Sequence, residues 1–474
     1  MADAKFSATE RFLRIFTDVR AGEGYVALLM FVNVFLILCA YYFIKPLREG
    51  WIAISDISGL TKTEVKAYSS FAQSIFLLLV VGWYGHLSDK WDRATLISRA
   101  TLFCISNMVI FWFLQPHFFF ESLPASGIVF YVWVGMFGVF VVAQFWTFCA
   151  DIYTNERGKR LLPLIAIGAT SGAAAGSWIT DLFVKSGLVD TKALLLVATV
   201  PLFISIGLTR YVDKRVKSSP GDDAEPLAHK LPDQKKTEAP GHNFFLDGAK
   251  IVMLNRFLMA AAIVTLLVNW VNTNGENLLF RVIQESLSTH AAEQGITDHL
   301  AIQEFTRDGT TAFYGNFFFW VNVVALFLQA FVASRLLKYG GFAAILLILP
   351  VISLLSYTAM ALLPILAVVK VMKIAENAAD YSLNNTARHV LWLPVSSEMK
   401  FHGKPAIDTL YVRLGDGLAA LTILIGVQIL NLSTAAYFAF NIGLVLVWFI
   451  FAIILIREHS KASLLVSAAG HDGI

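Results

Sequence analysis

The sequence predicts an all-α polytopic membrane protein with twelve transmembrane helices in two six-helix halves. Three observations carry this. Of 474 residues, 57% are apolar and 15% charged, where a soluble chain carries about 25% charge. Apolar segments long enough to cross a bilayer recur along the whole length. One long polar stretch, residues 212–249, interrupts them near the middle, with Pro220, Pro226, Pro232 and Pro240 scattered through it. That stretch reads as a solvated linker. The net charge of +3 says little by itself. Cys39, Cys104 and Cys149 all fall within apolar segments. They have neither zinc-ligand spacing nor the number of a disulfide framework, so no metal and no cofactor is expected.

The lead-in, residues 1–22, contains SATERFLRIFTDVR, with a capping box from Ser7 to Glu10. Phe12, Phe16 and Val19 share a face, and Arg11 and Arg14 turn elsewhere. This reads as a short amphipathic helix on the membrane surface, or as a plain soluble lead-in. No small-residue cleavage site follows the first apolar run, so a cleavable signal peptide is not expected.

The N-terminal bundle is assigned to 23–211. Its first span, Gly24 to Ile44, ends in YYFIKPLREG, which gathers Lys45, Arg48 and Glu49 beside Tyr41 and Tyr42. Pro46 is expected to kink the helix there. The charges either snorkel to the headgroups or turn into a cavity mouth, and their clustering beside two tyrosines favours the cavity. After the second span (Val65 to Trp83) comes YGHLSDKWDR. Its Gly85, Leu87, Asp89, Lys90 and Arg93 fit the pattern G-x-L-x-D-[RK]-x-x-R, with Asp92 in place of the usual glycine. The pattern resembles the loop signature of the major facilitator superfamily, where charged residues bond to helix ends across the loop. Spans three and four are Thr95–Leu114 and Ile128–Ala150, the fourth carrying Gln144 and Trp146.

In the fifth span, LLPLIAIGATSGAAAGSW, Gly168, Gly172 and Gly176 recur at four-residue steps and allow a neighbouring helix to approach closely. That run has no lysine where a phosphate loop needs one, and the chain has no G-x-S-x-G or H-E-x-x-H. An enzyme is therefore not expected. The sixth span lies near Ala193–Leu208.

The C-terminal bundle is assigned to 250–457, with spans near 251–275, 312–334, 342–363, 366–393, 406–430 and 434–456, and a tail at 458–474. Residues 281–310 are expected to be a longer connection, whose His290 and His299 are solvated rather than metal ligands. The seventh span ends NWVNTNGENLLFR, with Asn269, Asn272, Asn274, Glu276 and Arg281, and mirrors YYFIKPLREG of the first. RLLKYGG (335–341) echoes the loop after the second span, and His402–Lys404 echoes Glu156–Lys159. Shifts of roughly 230 to 250 residues align these pairs and imply a parallel repeat. Lysine and arginine fall mostly in alternate loops and in both tails, which predicts cytoplasmic termini.

The densest chemistry lies between Lys370 and Gly417. Lys370, Lys373, Asn377, Asp380, Asn384 and Arg388 recur at steps of three or four, on roughly one helix face, with Glu376 on its flank. For a helix entering the membrane near Ile365, Glu376 is about 16 Å deep, close to the midplane. Arg413 and Asp416 follow in the next apolar segment, three apart. Charge at such depth faces a polar cavity or another charge. The bland reading is internal pairing inside a helical bundle; the functional one is a translocation path.

YYFIKPLRE, the Glu276 region, and YSLNNTARHVLWLPVSSEMKFHGKPAIDTLYVRLG together resemble the ATP/ADP antiporter (NTP/NDP exchange transporter) family of bacteria and plastids. The likeness spans most of the chain and is sharpest at 370–417. It implies a facilitator-like fold in a bacterial inner membrane that exchanges nucleotides, with basic residues gripping phosphates. Carried over, a basic–acidic pair falls on Arg48 and Glu49, a tenth-helix lysine on Lys373 or Lys370, and a K-x-A-x-D step on Lys404, Ala406 and Asp408, followed by Arg413. Lys45-Pro46 departs from the family pattern.

The expected carrier alternates access around a central site. Lys45, Arg48, Lys370, Lys373 and Arg413 attract a small anionic substrate. Glu49, Glu276, Glu376, Asp380 and Asp416 hold those cations when the site is empty, Asn384 adds a polar group, and Tyr41 or Tyr42, or else Trp146 or Tyr381, stacks on a flat group. Gly85, Asp89, Lys90 and Arg93 form the gating loop. The alternatives are a proton-coupled carrier of another organic anion (a carboxylate, siderophore or peptide-like solute), and a non-transporting receptor or lipid flippase. The expected partners are the substrate and the bilayer, with protons in the coupled alternative; no nucleic acid is expected, and the carrier is expected as a monomer.

Overall fold

The structure is a computed structural model describing residues 11, 19–20, 22–88, 93–116, 125–218, 250–396 and 399–471. The lead-in helix, the linker after residue 218 and the loop positions Asp89 and Lys90 lie outside the described residues.

Helices with short connections make up the described chain. The first six are α1 (Gly24–Ala53), α2 (Lys62–Ser88), α3 (Arg93–Phe113), α4 (Ser126–Ile152), α5 (Asn155–Ser186) and α6 (Leu194–Ser218). After the linker come α7 (Arg256–Glu293), α8 (His299–Phe327), α9 (Ala333–Leu362), α10 (Leu366–Ala379), α11 (Asn385–Leu391), α12 (Val412–Leu424) and α13 (Thr434–His471). Among the described residues, nine helical stretches are long and apolar enough to cross a membrane. The longest, His299–Leu362, has 64 residues. At 1.5 Å per residue that is about 96 Å, three times a bilayer's hydrocarbon core. Gly341, at φ 63° and ψ −163°, breaks it within the RLLKYGG stretch. Only glycine adopts that backbone without strain.

Several helices outrun the sequence reading, α6 reaching Ser218 and α13 His471. Helix α1 continues through Pro46 to Ala53, so Lys45, Arg48 and Glu49 lie inside a helix rather than at its end. The expected long connection at 281–310 is helical at both ends, and only five residues separate α7 from α8. RVIQESLSTHAAE holds no glycine or proline, so α7 runs on past its apolar part. It stops where Gly295 takes φ 68° and its N–H reaches the Ala292 carbonyl. Asp298 then caps α8, accepting from the Ala301 N–H at 2.9 Å. His290 and His299 are exposed.

The chain divides into two compact units. The first comprises Met1–Trp51, Trp83–Thr237 and Arg307–Val323. Its α5 lies against α1 along the glycine stripe. A Cβ at Gly168 would fall 2.7 Å from the Phe31 carbonyl oxygen, and one at Gly172 or Gly176 would press into the Phe35 or Cys39 carbonyl. Small residues are therefore needed at all three positions. Aromatics join α1 to α4: Trp51 lies 4.2 Å from Phe130 between ring centroids, and within α4 Trp133 stacks on Phe137 at 5.6 Å. Asn33 ties α1 to α6, donating to Thr209 at 2.9 Å and accepting from Ser205 at 2.6 Å. Just before α1, Glu23 meets the first turns of α5. Arg160 grips its carboxylate with two bonds of 2.9 Å, and Arg157 approaches to 3.3 Å.

The second unit comprises Ile52–Gly82, Glu238–Thr306 and Val324–Ile474. Here α7 packs against α12 and α13, and α9 against α10 and α13. Polar bonds pin these contacts: Trp270 Nε1 donates to Thr422 at 2.9 Å, and Asn274 to Asn441 at 3.0 Å. Interhelical hydrogen bonds of this kind contribute roughly 0.6–2 kcal/mol each in a membrane. The three cysteines are buried free thiols.

Candidate substrate site

The polar run NTNGEN on α7 is the hub of the second unit. Lys373 of α10 is fully buried, and its ammonium donates to Glu376 at 2.7 Å and to Asn272 Oδ1 at 3.2 Å. It lies 3.6 Å from Glu276 Oε1. The spacing explains the first pair, since residues three apart on a helix share a face. The other contacts depend on Gly275. A Cβ there would lie 2.7 Å from the Lys373 nitrogen and would overlap the Tyr357 hydroxyl. Glycine thus lets an ammonium and a phenol rest directly on the α7 backbone.

Glu376 is enclosed by donors. Tyr357 of α9 reaches its Oε2 at 3.1 Å and Ser353 its Oε1 at 3.3 Å. Glu276 is the more open carboxylate, with its side chain 26% exposed against 4% for Glu376. It accepts from Asn377 Nδ2 at 2.7 Å. One ammonium and two carboxylates therefore share a single polar cluster.

A second ion pair lies on the neighbouring side of the same α7 turn. Arg413 of α12 donates to Asp416 at 3.0 Å and to Ser74 of α2 at 3.2 Å. Ser74 donates to Asp416 at 2.6 Å, and Thr273 completes the carboxylate at 2.9 Å. Asn272 and Thr273 are adjacent in sequence, so the Lys373 and Arg413 clusters flank one turn of α7. Also from α2, the Lys66 ammonium reaches the Glu276 carbonyl oxygen at 3.3 Å and lies 4.7 Å over the Phe280 ring.

Further along the 370–417 stretch, Asp380 lies within electrostatic reach of Lys373, whereas Arg388 pairs elsewhere. A wide turn at Asp380–Asn384 joins α10 to α11, with Asn385 N–H reaching the Asp380 carbonyl. Asp380 accepts from Asn384 at 2.7 Å. The step pattern predicts Arg388 on the Lys373 face, but it is exposed and pairs with Asp408 at 2.6 Å instead. Fifteen residues separate it from Lys373, about 22 Å of helix, while Leu383, Ala387 and Leu391 take the buried positions around it. Lys370 is half-buried one turn before Lys373, and Tyr381 is exposed.

In the first unit, the α1 charges are inside the protein. Arg48 is 9% exposed and Glu49 1%, which removes the snorkelling alternative. Arg48 holds Glu49 at 2.5 Å, and its guanidinium lies 4.2 Å over the Tyr131 ring. Lys45 lies 3.9 Å over Phe318 and 4.9 Å over Tyr42. Tyr42 meets Tyr41 and Phe318 edge-on, at 5.3 Å and 5.7 Å between centroids. Trp146 stands edge-on to Phe145 at 5.4 Å. Of the gating pattern, Gly85 lies in α2 and Arg93 opens α3, while Asp89 and Lys90 lie outside the described residues.

Sequence reading missed Lys66, Ser74, Thr273, Ser353 and Tyr357. Lys66 sits two residues into the second apolar window, where a lysine reads as a span-end anchor. Ser353 and Tyr357 are polar residues four apart within apolar α9, a one-face signal that periodicity carries.

Among the described residues, no group of histidine, cysteine or carboxylate side chains could hold a metal ion. What the clusters offer is fixed positive charge, with Lys373 and Arg413 each partnered by a carboxylate.

Solved transporters share this architecture. A POT family peptide transporter superposes with a TM-score of 0.59 at 13% identity, covering 90% of this chain and 96% of that one. The human organic anion transporter MFSD10 gives 0.55 at 13% identity, over 91% and 100%. A mutant of the nucleoside transporter NupG gives 0.54 at 14% identity, over 92% and 99%. These likenesses show the fold alone, one this chain shares with those solved transporters. Residues 277–459 match the family described as TLC ATP/ADP transporter. ADP,ATP carrier protein 1 of Chlamydia pneumoniae is 24% identical over 323 residues, 62% of this chain and 59% of the relative. The chain thus aligns with about three fifths of that carrier's length. Family and relative both support the ATP/ADP antiporter resemblance, and the family-matched segment contains the whole 370–417 stretch. Residues 277–459 thus resemble a transporter family, and they belong to a chain whose described residues include nine helical stretches long and apolar enough to cross a membrane.

Proposed function

We propose that this transporter exchanges an anionic, phosphorylated, nucleotide-like small molecule across a bacterial inner membrane by alternating access. Twelve spans in two six-helix halves, with both termini cytoplasmic, would rock around a central site. The observation that carries the reading is Lys373. It is a fully buried cation in the family-matched segment, held by carboxylates that an anionic substrate can replace. Arg413, beside the same α7 turn, is the natural second contact for a phosphate, because a guanidinium binds oxyanions through two bonds. The first unit by itself holds Arg48 and Lys45 against aromatic faces.

The test is counterflow in proteoliposomes loaded with unlabelled ATP, following uptake of labelled ADP with and without a pH gradient. Uptake that requires internal nucleotide supports exchange. Its absence, in protein shown to be folded, rejects the nucleotide reading.

A second reading, proton-coupled carriage of another organic anion, rests on one feature. Glu276 and Glu376 share a single ammonium, and a proton is the smallest ion that balances the spare charge. Uptake driven by a pH gradient into vesicles without internal substrate would select it.

A further inference from the structure

We infer that Lys66 and Lys373 form a two-cation subsite for the phosphoryl oxyanions of the substrate, and that the Glu276 carboxylate occupies its Lys373 end until substrate displaces it. The inference deepens the proposed function and rests on it for the identity of the anion.

Glu276 is bracketed by two lysines from different helices. Lys66 of α2 lies 3.3 Å from its carbonyl oxygen, and Lys373 of α10 lies 3.6 Å from its carboxylate. A glutamate's own carbonyl and carboxylate oxygens are at most about 6–7 Å apart, so the two ammonium groups are within about 13 Å of each other. Both lysines are buried, Lys66 at 2% exposure and Lys373 at none. Two buried ammonium groups beside one helix turn favour an anion strongly, since the low dielectric magnifies the attraction.

The two carboxylates on Lys373 are not equivalent. Glu376 is held at 2.7 Å and closed in by Tyr357 and Ser353. Glu276 is looser and more exposed, and the Asn377 amide is its close hydrogen-bond donor. When Glu276 swings away, Lys373 keeps Glu376 as counter-ion, and the Asn377 amide is released to donate to the incoming oxyanion. When substrate leaves, Glu276 returns. The empty carrier thereby neutralises its own site, and binding becomes a competition between two anions for Lys373.

The experiment measures affinity of purified protein for inorganic pyrophosphate and for ADP by titration calorimetry, alongside ADP counterflow. The variants are Lys66→Gln, Lys66→Arg, Glu276→Gln and the double variant Lys66→Gln/Glu276→Gln. Loss of one charge-assisted contact predicts affinity weakened about 10- to 100-fold in Lys66→Gln. Lys66→Arg is expected to stay within a few-fold of wild type. Glu276→Gln tightens binding, and the double variant recovers most of the loss, because the competing carboxylate is gone. A lysine that merely anchored α2 would lower thermal stability, leave affinity unchanged, and gain nothing from Glu276→Gln; that result overturns the inference. Should Lys66→Gln fail to fold, unchanged affinity in Glu276→Gln overturns it equally. Pyrophosphate binding that responds to these variants without ADP exchange keeps the subsite and rejects the nucleotide reading. ADP exchange with Lys66→Gln affinity unaltered does the reverse. Wild-type protein that binds neither ligand rejects both.

Discussion

Replacing Lys373 with methionine removes the one ammonium that two carboxylates share. Methionine keeps the length and the apolar stem, so the change isolates the charge. The consequence for stability is worked from burial. Lys373 has no exposure, and the Glu376 side chain only 4%. Breaking a buried ion pair by deleting one partner costs about 3–5 kcal/mol, because the other charge stays buried. Glu276, at 26% exposure, can turn towards solvent and adds little. Lys373→Met should therefore lose most of its folded population when warmed in detergent. The double variant Lys373→Met/Glu376→Gln removes the stranded charge, and Tyr357 and Ser353 can still bond to the amide. It should regain stability to within about 1–2 kcal/mol of wild type. Counterflow must separate from folding: the double variant folds and does not exchange. The assay pairs thermal unfolding with ADP counterflow on both variants. Lys373→Met with wild-type stability would refute the buried-pair argument. A folded double variant with wild-type exchange would refute Lys373 as a substrate contact.

Gly275→Ala should weaken both transport and stability, by about 1–3 kcal/mol in unfolding, because its Cβ displaces the Tyr357 hydroxyl and the Lys373 nitrogen; Gly275→Ala combined with Tyr357→Phe should recover part of the stability. Arg413→Ala should abolish counterflow in protein that still folds, since Ser74 and Thr273 continue to bond Asp416; wild-type rates would remove Arg413 from the site. Gly172→Val should separate α5 from α1 and lower the melting temperature and the yield, because the Phe35 backbone occupies the space a side chain needs; an unchanged melting temperature would contradict the packing. For Glu23, burial pushes the carboxyl up, but the bonds from Arg160 and from the Arg20 backbone, with the charges of Arg160 and Arg157, outweigh it and hold it below the ordinary range. A depressed carboxylate stabilises the fold above its unfolded value of about 4.3 and loses that contribution as pH falls through the lower folded value. Glu23→Gln should therefore be less stable than wild type by about 1–3 kcal/mol at pH 7, with the gap closing below about pH 4; a gap that persists at pH 3 would refute it.

Legibility in the sequence followed the range of the physical rule involved. Span positions, the glycine stripe and the i, i+3 pairs Lys373–Glu376 and Arg413–Asp416 depend on neighbours in sequence, and periodicity shows them. The ends of α1 and α7 lie beyond the expected ones for a related reason. Hydropathy marks where a helix leaves the apolar layer, not where its hydrogen bonds stop, and α7 continues until Gly295 ends it.

What periodicity cannot supply is the partner from another helix. Lys66 is 210 residues from Glu276, and Tyr357 and Ser353 reach Glu376 from α9. Arg388 shows the converse error. It shares the step of Lys373 but not its depth, and it finds Asp408 at an exposed position. A charge inside a span therefore needs two coordinates, its face and its depth, before a role can be assigned. Face alone puts Arg388 with Lys373, whereas the hub is defined by which helices bring opposite charge to one turn of α7. That turn, Asn272 to Glu276, is where α2 and α10 each place a cation and α12 places the Asp416 carboxylate that Arg413 holds, so a charge arriving there would be felt by all three helices at once.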